Sequence, residues 1–124
     1  MINPYKNYKN MSINTMTKGE QLVLLFDKLV QRLTAATILF KEDKIEEANV
    51  NLNKSKEIFN FLLVSLDNNY ELSKNLAELY SFFNAEIIKS IAKKDINLIE
   101  GILPMIKDLR DTWEEAEKLS RVKK

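Results

Sequence analysis

The sequence predicts an all-α fold, an antiparallel up-and-down four-helix bundle preceded by a short N-terminal arm. Three observations predict it. Two glycines and two prolines are all that punctuate 124 residues. Leu, Ile, Lys, Glu and Asn are abundant, which favours long helices and short turns. Large apolar residues then recur in steps of three and four through four successive stretches, the period that puts them on one face of a helix. A chain of this length fits one domain, enough for a modest core but not for two.

Residues 1–16 read as the arm, and residues 17–124 as the bundle. Pro4, several asparagines and the scattered Tyr5, Tyr8, Met11 and Ile13 give the arm no sustained helical period. It is apolar enough to dock on a surface but not to fold alone. Thr17-Lys18-Gly19-Glu20 fits a capping box, with Thr17 as the cap and Glu20 at the third helical position. The first helix follows, with Leu22, Leu25, Phe26, Leu29, Leu33, Ala36 and Phe40 as its stripe.

Asp43 and Glu46 suggest a second capping box, opening a stripe of Ile45, Ala48, Leu52, Ser55, Phe59, Leu62 and Leu66. Asp67-Asn68-Asn69 marks a turn, with Asn68 and Glu71 as the expected cap of a third helix. That helix carries Leu72, Leu76, Leu79, Phe83 and Ile87 and is closed by Lys93-Lys94-Asp95. Ile99, Ile102, Ile106, Leu109, Trp113 and Ala116 line the fourth. Pro104 interrupts this last stretch, because its nitrogen cannot donate to the carbonyl of Glu100. One kinked helix is preferred over two short ones, since the three-four spacing runs through the proline without slipping. Four helices joined by connections of a few residues make antiparallel neighbours.

Composition excludes several functions. The 19 basic and 18 acidic residues are mixed along the chain and leave a formal charge of +1. The Arg121-Val122-Lys123-Lys124 tail is the one basic cluster, and it reads as a solvated end, so nucleic acid is not an expected partner. There is no cysteine and no histidine. That removes disulfides, thiolate nucleophiles, cysteine zinc sites, Glu-x-x-His di-iron sites and phosphate-accepting histidines. Asp and Glu fall mainly on polar faces, which points away from carboxylate catalysis. No Gly-rich phosphate loop is found. No catalytic, cofactor-binding or metal-binding residue is therefore assigned. The polar stretch 1–14 does not resemble a signal peptide, and the longest apolar run, Leu22 to Phe26, is far short of a membrane span. A cytoplasmic protein is expected.

The feature that points to function is a surplus of apolar residues on the helix backs. Leu24 and Ile38 oppose the stripe of the first helix, flanked by Val23 and Val30. Val50 and Phe61 oppose that of the second, flanked by Ile58 and Val64. One buried stripe suffices for a small bundle, so a second suggests a surface that something else covers. Scattered exposure, cover by the arm and burial in a homodimer are the plain explanations. A partner's amphipathic helix laid along these turns is the functional one. Tyr5 and Tyr8 carry three readings: a short recognition string around Asn3-Pro4, simple disorder, or an arm resting in the apolar groove until a partner displaces it. Trp113 lies on a core stripe and reads as structural, with the aliphatic stem of Arg110 beside it.

Taken in order, these residues resemble the flagellin-specific export chaperones of bacteria, the FliS family. The likeness runs through Asn3-Pro4-Tyr5 and Tyr8, Thr15, and Leu25-Phe26-Asp27 where the family usually has Leu-Tyr-Asp. It continues in Asn75-Leu76, Leu79-Tyr80, and Leu109-Arg110-Asp111-Thr112-Trp113 with Ala116. Each motif is short, but their succession covers nearly the whole chain. Departures are Lys28-Leu29 in place of a common Gly-Ala pair, Asn68-Asn69-Tyr70 in place of Gly-Gly, Met16-Thr17-Lys18-Gly19 at the first helix start, and Pro104.

The resemblance implies a cytoplasmic chaperone that binds the disordered C-terminal segment of flagellin and prevents premature polymerisation. It would assist type III flagellar export, with export-gate components as further partners. In the family the client wraps the bundle in extended and helical pieces, and the arm can occupy part of the same surface, which makes Tyr5 and Tyr8 gate residues. The expected partner-binding set is thus Tyr5, Tyr8, Val23, Leu24, Val30, Ile38, Val50, Ile58, Phe61 and Val64, in a monomer or weak dimer without cofactor. The alternative is a helical-bundle homodimer or adaptor that uses the second apolar surface for self-association.

Overall fold

The computed structural model describes residues 16–122. Four helices follow one another: α1 (Lys18–Lys41), α2 (Ile45–Ser65), α3 (Glu71–Lys93) and α4 (Asn97–Val122). Each packs against its neighbours in a ring. α1 makes the most extensive contacts, with α2 and α4, while α3 touches the same two helices more lightly. Among the described residues there is no strand. The result is the antiparallel up-and-down bundle that the short connections require.

The first helix starts as its sequence dictates. The Thr17 hydroxyl accepts from the Glu20 backbone N–H at 3.1 Å, and the Glu20 carboxylate accepts from the Thr17 N–H at 3.3 Å. The next two helix starts correct the sequence reading. α2 begins at Lys44 with no side-chain cap, and α3 at Tyr70, again with none. The reason lies in how the preceding helix stops. Asp43 sits in the left-handed region (φ 64°) and ends α1, with the Lys44 N–H donating to the Leu39 carbonyl at 2.8 Å. An aspartate held there as a stop signal is not placed as a cap. At the second turn the Asp67 carboxylate accepts from the Asn69 N–H at 3.0 Å, a local turn that leaves Asn68 two residues short of the cap position at Tyr70.

The third turn is closed from within. Lys94 adopts φ 52°, and the Ser90 hydroxyl donates to the Asp95 carbonyl at 2.8 Å. Asp95 in turn accepts from the Asn97 N–H at 3.0 Å and launches α4. That helix continues through Pro104 as one element. Pro104 and Glu100, whose carbonyl loses its partner, are both exposed residues.

The core is built from the predicted stripes: Phe26, Leu29, Leu33 and Ala36 of α1, Ala48, Leu52, Phe59 and Leu62 of α2, Phe83 and Ile87 of α3, and Ile99, Ile102 and Ile106 of α4. Two members of those stripes are displaced. Leu72 is 59% exposed, and Ala116 also faces solvent. Tyr80 replaces Leu72 as the anchor of α3, since the buried face of that helix runs through Ser73, Tyr80, Phe83, Ile87 and Ser90. An aromatic relay then ties the helices together. Trp113 meets Phe26 at 6.4 Å between ring centres, Phe26 meets Tyr80 at 6.0 Å, Tyr80 meets Phe59 at 6.0 Å, and Phe59 meets Phe83 at 5.6 Å. Tilted contacts of this kind add to the area each ring buries. No described helix is long and apolar enough to cross a membrane.

Candidate functional site

The aromatic relay forms the floor of an opening. Towards the start of α1 and the end of α2 the bundle leaves a cavity of about 420 Å³. Leu22 and Leu25 of α1 form one wall, with Lys18 and Gln21 at its edge. Phe61, Leu62, Ser65 and Leu66 of α2 form the other, and Leu76 and Tyr80 of α3 close the bottom. Leu22, Leu25, Leu66 and Leu76 belong to the predicted core stripes, yet all four are only half-buried. They pack against the core from below and show their upper surfaces to the cavity.

The structure divides the predicted partner surface. Phe61 lines the cavity and is 55% exposed, its ring standing at the lip. Val64 is 86% exposed one turn further along α2. Ile38 and Val50, both more than half exposed, lie at the opposite end of the bundle, on either side of the α1–α2 turn. Val23 and Leu24 are half-buried. Val30 and Ile58 are half-buried and pack against the core, so they supply an edge more than a face. Tyr5 and Tyr8 fall outside the described residues. Of the eight that are described, Phe61 alone touches the cavity.

The sequence reading missed most of the lining, because residues on a core stripe were assigned to the core. A signal was present. Leu22 and Leu25 are long side chains on the first two turns of α1, at a bundle end where α3 contributes Ser73 and Asn75. It also missed the exposed Tyr70, Leu72, Phe82, Met105 and Leu119.

Tyr80 is the group whose chemistry the site perturbs. Its side chain is buried, and burial pushes the phenol from the ordinary 10.0 to about 12, with the neighbouring Trp113 N–H, short of full hydrogen-bond geometry, pulling the other way. The Trp113 Nε1 itself is buried without reaching hydrogen-bond geometry to any described residue. The second such atom is the Asn84 Oδ1, whose amide nitrogen donates to Asn60 at 3.0 Å across the α2–α3 seam. Among the described residues no group of acidic side chains is placed to hold a metal ion. The arrangement is an apolar trough with a few polar atoms at its rim and base, suited to receiving a side-chain row from another segment.

A family model described as flagellar protein FliS matches residues 1–120. The flagellar secretion chaperone FliS of Bacillus subtilis (strain 168) is 29% identical over 114 residues, covering 92% of this chain and 86% of its own. Its namesake from Escherichia coli (strain K12) is 30% identical over 108 residues, covering 85% and 79%. A crystal structure of a bacterial flagellar chaperone superposes with a TM-score of 0.77 at 17% identity, over 94% of this chain and 98% of that one, which shows the fold.

Proposed function

The chain belongs to the FliS family of flagellar proteins, and from that premise we propose that it holds the disordered C-terminal segment of flagellin in the cytoplasm. The family is one of flagellar secretion chaperones, not of enzymes. Binding the segment blocks its premature polymerisation and delivers it to the type III export apparatus, whose gate components are further partners.

One observation carries this reading: an open apolar trough between α1 and α2, with Phe61 at the lip and the buried Tyr80 at the base. A closed core offers a client nothing. A trough whose half-buried leucines still face water gains free energy when an amphipathic segment covers them, at roughly 25 cal/mol per Å² of apolar surface. A disordered client also loses several kcal/mol on ordering, so it needs a long contact surface. Val64, exposed one turn beyond Phe61, extends that surface. The arm, which joins the structure at Met16 next to the trough-lining Lys18 and Gln21, is within reach as a resting cover, with Tyr5 and Tyr8 as its anchors.

The test is a titration of the cognate flagellin C-terminal segment, followed by calorimetry and by the helicity the segment gains. Phe61→Glu should weaken binding about ten-fold or more, the loss of a large aromatic contact plus a buried charge. The melting temperature should hardly move, because the ring is more than half exposed. Normal affinity in the well-folded variant would remove Phe61 from the site, and no binding by the unaltered chain would end the flagellin reading.

A further inference from the structure

Basic side chains outnumber acidic ones along the rim of the α1–α2 trough. Lys18 lines the cavity itself. Lys28 and Arg32 stand three and seven positions beyond the lining Leu25, and so continue the same wall of α1; Lys54 stands seven before Phe61 on the wall opposite. Arg32 Nη1 donates to the Asn51 side chain at 3.2 Å, which places both residues at the α1–α2 seam. Its partner is neutral, and none of the four cations has an ion-pair partner among the described residues. The carboxylates of these stretches are engaged elsewhere or outnumbered. Glu20 closes the cap of α1, and Asp27 points to Arg110 of α4 at 3.9 Å. Glu57, four positions before Phe61, and Asp67, which follows the lining Leu66, are the acidic residues left beside the trough.

The chain's own arm is a poor electrostatic match for this rim. Residues 1–15 contain Lys6 and Lys9 and no carboxylate. A cationic segment laid in the trough brings like charges together, whereas an acidic one neutralises Lys18, Lys28, Arg32 and Lys54. From Lys18 to Arg32 the wall is about 21 Å long, the length of a four-turn helix.

Resting on the reading of the trough as the client site, we propose that its cationic rim selects an acidic amphipathic helix as guest and discriminates against the chain's own arm. The apolar floor supplies affinity, and the rim supplies the choice between occupants. Salt then acts in opposite directions: it weakens the acidic guest by screening attraction and strengthens the arm by screening repulsion.

Two labelled 18-residue amphipathic peptides with one apolar face in common, and either glutamates or lysines on the polar face, test this against the full-length chain. At low ionic strength the acidic peptide should bind about ten-fold tighter, and the gap should shrink on raising the salt. Lys28→Glu combined with Lys54→Glu should reverse the preference, and the corresponding double change to Gln should reduce it, with circular dichroism reporting an unchanged fold. Lys6→Glu with Lys9→Glu should turn the arm into a better competitor and lower the acidic peptide's affinity several-fold. Equal binding of the two peptides, a preference for the basic one, no binding of either, or capture of the trough in a homodimer by sedimentation would overturn the selection. An unchanged affinity in the arm variant would overturn the discrimination against it. Flagellin titrated in parallel separates the two claims. If it fails to bind while the acidic preference holds, the chaperone reading falls alone; if it binds without any such preference, only the selection falls.

Discussion

The two ends of the α1–α2 interface are both apolar and end in opposite states. Beside the turn, Leu33 and Ala36 of α1 meet Ala48 and Leu52 of α2, and all are sealed from water. At the other end Leu22 and Leu25 face Phe61 and Leu66 across the cavity. Small residues make the difference. Ala36 and Ala48 let the two helix backbones approach, and the turn holds them there. At the open end the facing side chains are leucines and a phenylalanine that leave a cavity between them, and the neighbouring α3 begins only at Glu71. The contrast teaches that an apolar period fixes which face turns inward, while side-chain size decides whether that face closes.

Truncation on both sides of this boundary would break or sharpen the comparison. Leu33→Ala, in the sealed end, should cost about 2–5 kcal/mol in chemical denaturation, because it leaves a cavity inside a packed core. Leu22→Ala should cost well under half of that, since part of the leucine already faces the trough. Equal costs would mean that the trough collapses onto Leu22 in solution.

Tyr80 tests where the boundary runs. A phenol raised to about 12 in the fold and near 10 when unfolded favours the folded state fully below pH 10, and this contribution is lost as the pH climbs from 10 to 12. The loss amounts to about 2–3 kcal/mol, measured as the difference between the parent chain and Tyr80→Phe so that the lysines cancel. A Tyr80 that titrates near 10 would put water at its hydroxyl and move the open end inward.

The cap at the mouth of the trough gives the smallest effect. Thr17→Ala should cost about 1 kcal/mol, with the extra hydrogen exchange confined to the first turn of α1. Exchange spreading to Leu29 would show that the open end and the sealed end unfold together.

Much of this was legible in the residues. The capping box at Thr17 and Glu20, the stripe of α2 and the passage of α4 through Pro104 follow from local chemistry, and the structure has all three. The caps at Asp43 and Asn68 failed because a residue that ends one helix or sits inside a turn is not free to start the next. Leu72 falls on the first turn of α3, at the open end of the bundle, and stays exposed, while Tyr80, two turns further on, is buried among the other helices.

The site divides in the same way. Phe61 could be found from the sequence, because an aromatic residue opposite a complete stripe needs an explanation. Leu22, Leu25, Leu66 and Leu76 could not, because a leucine on the inward face of an open bundle end has the same spacing as one in a sealed core. The sequence by itself determined the four helices, their inward faces and the family, since these depend on order and period along one chain. Only the tertiary structure decided where the core stops and the trough begins. That depends on how closely two helices approach, a distance set jointly by side chains far apart in the chain.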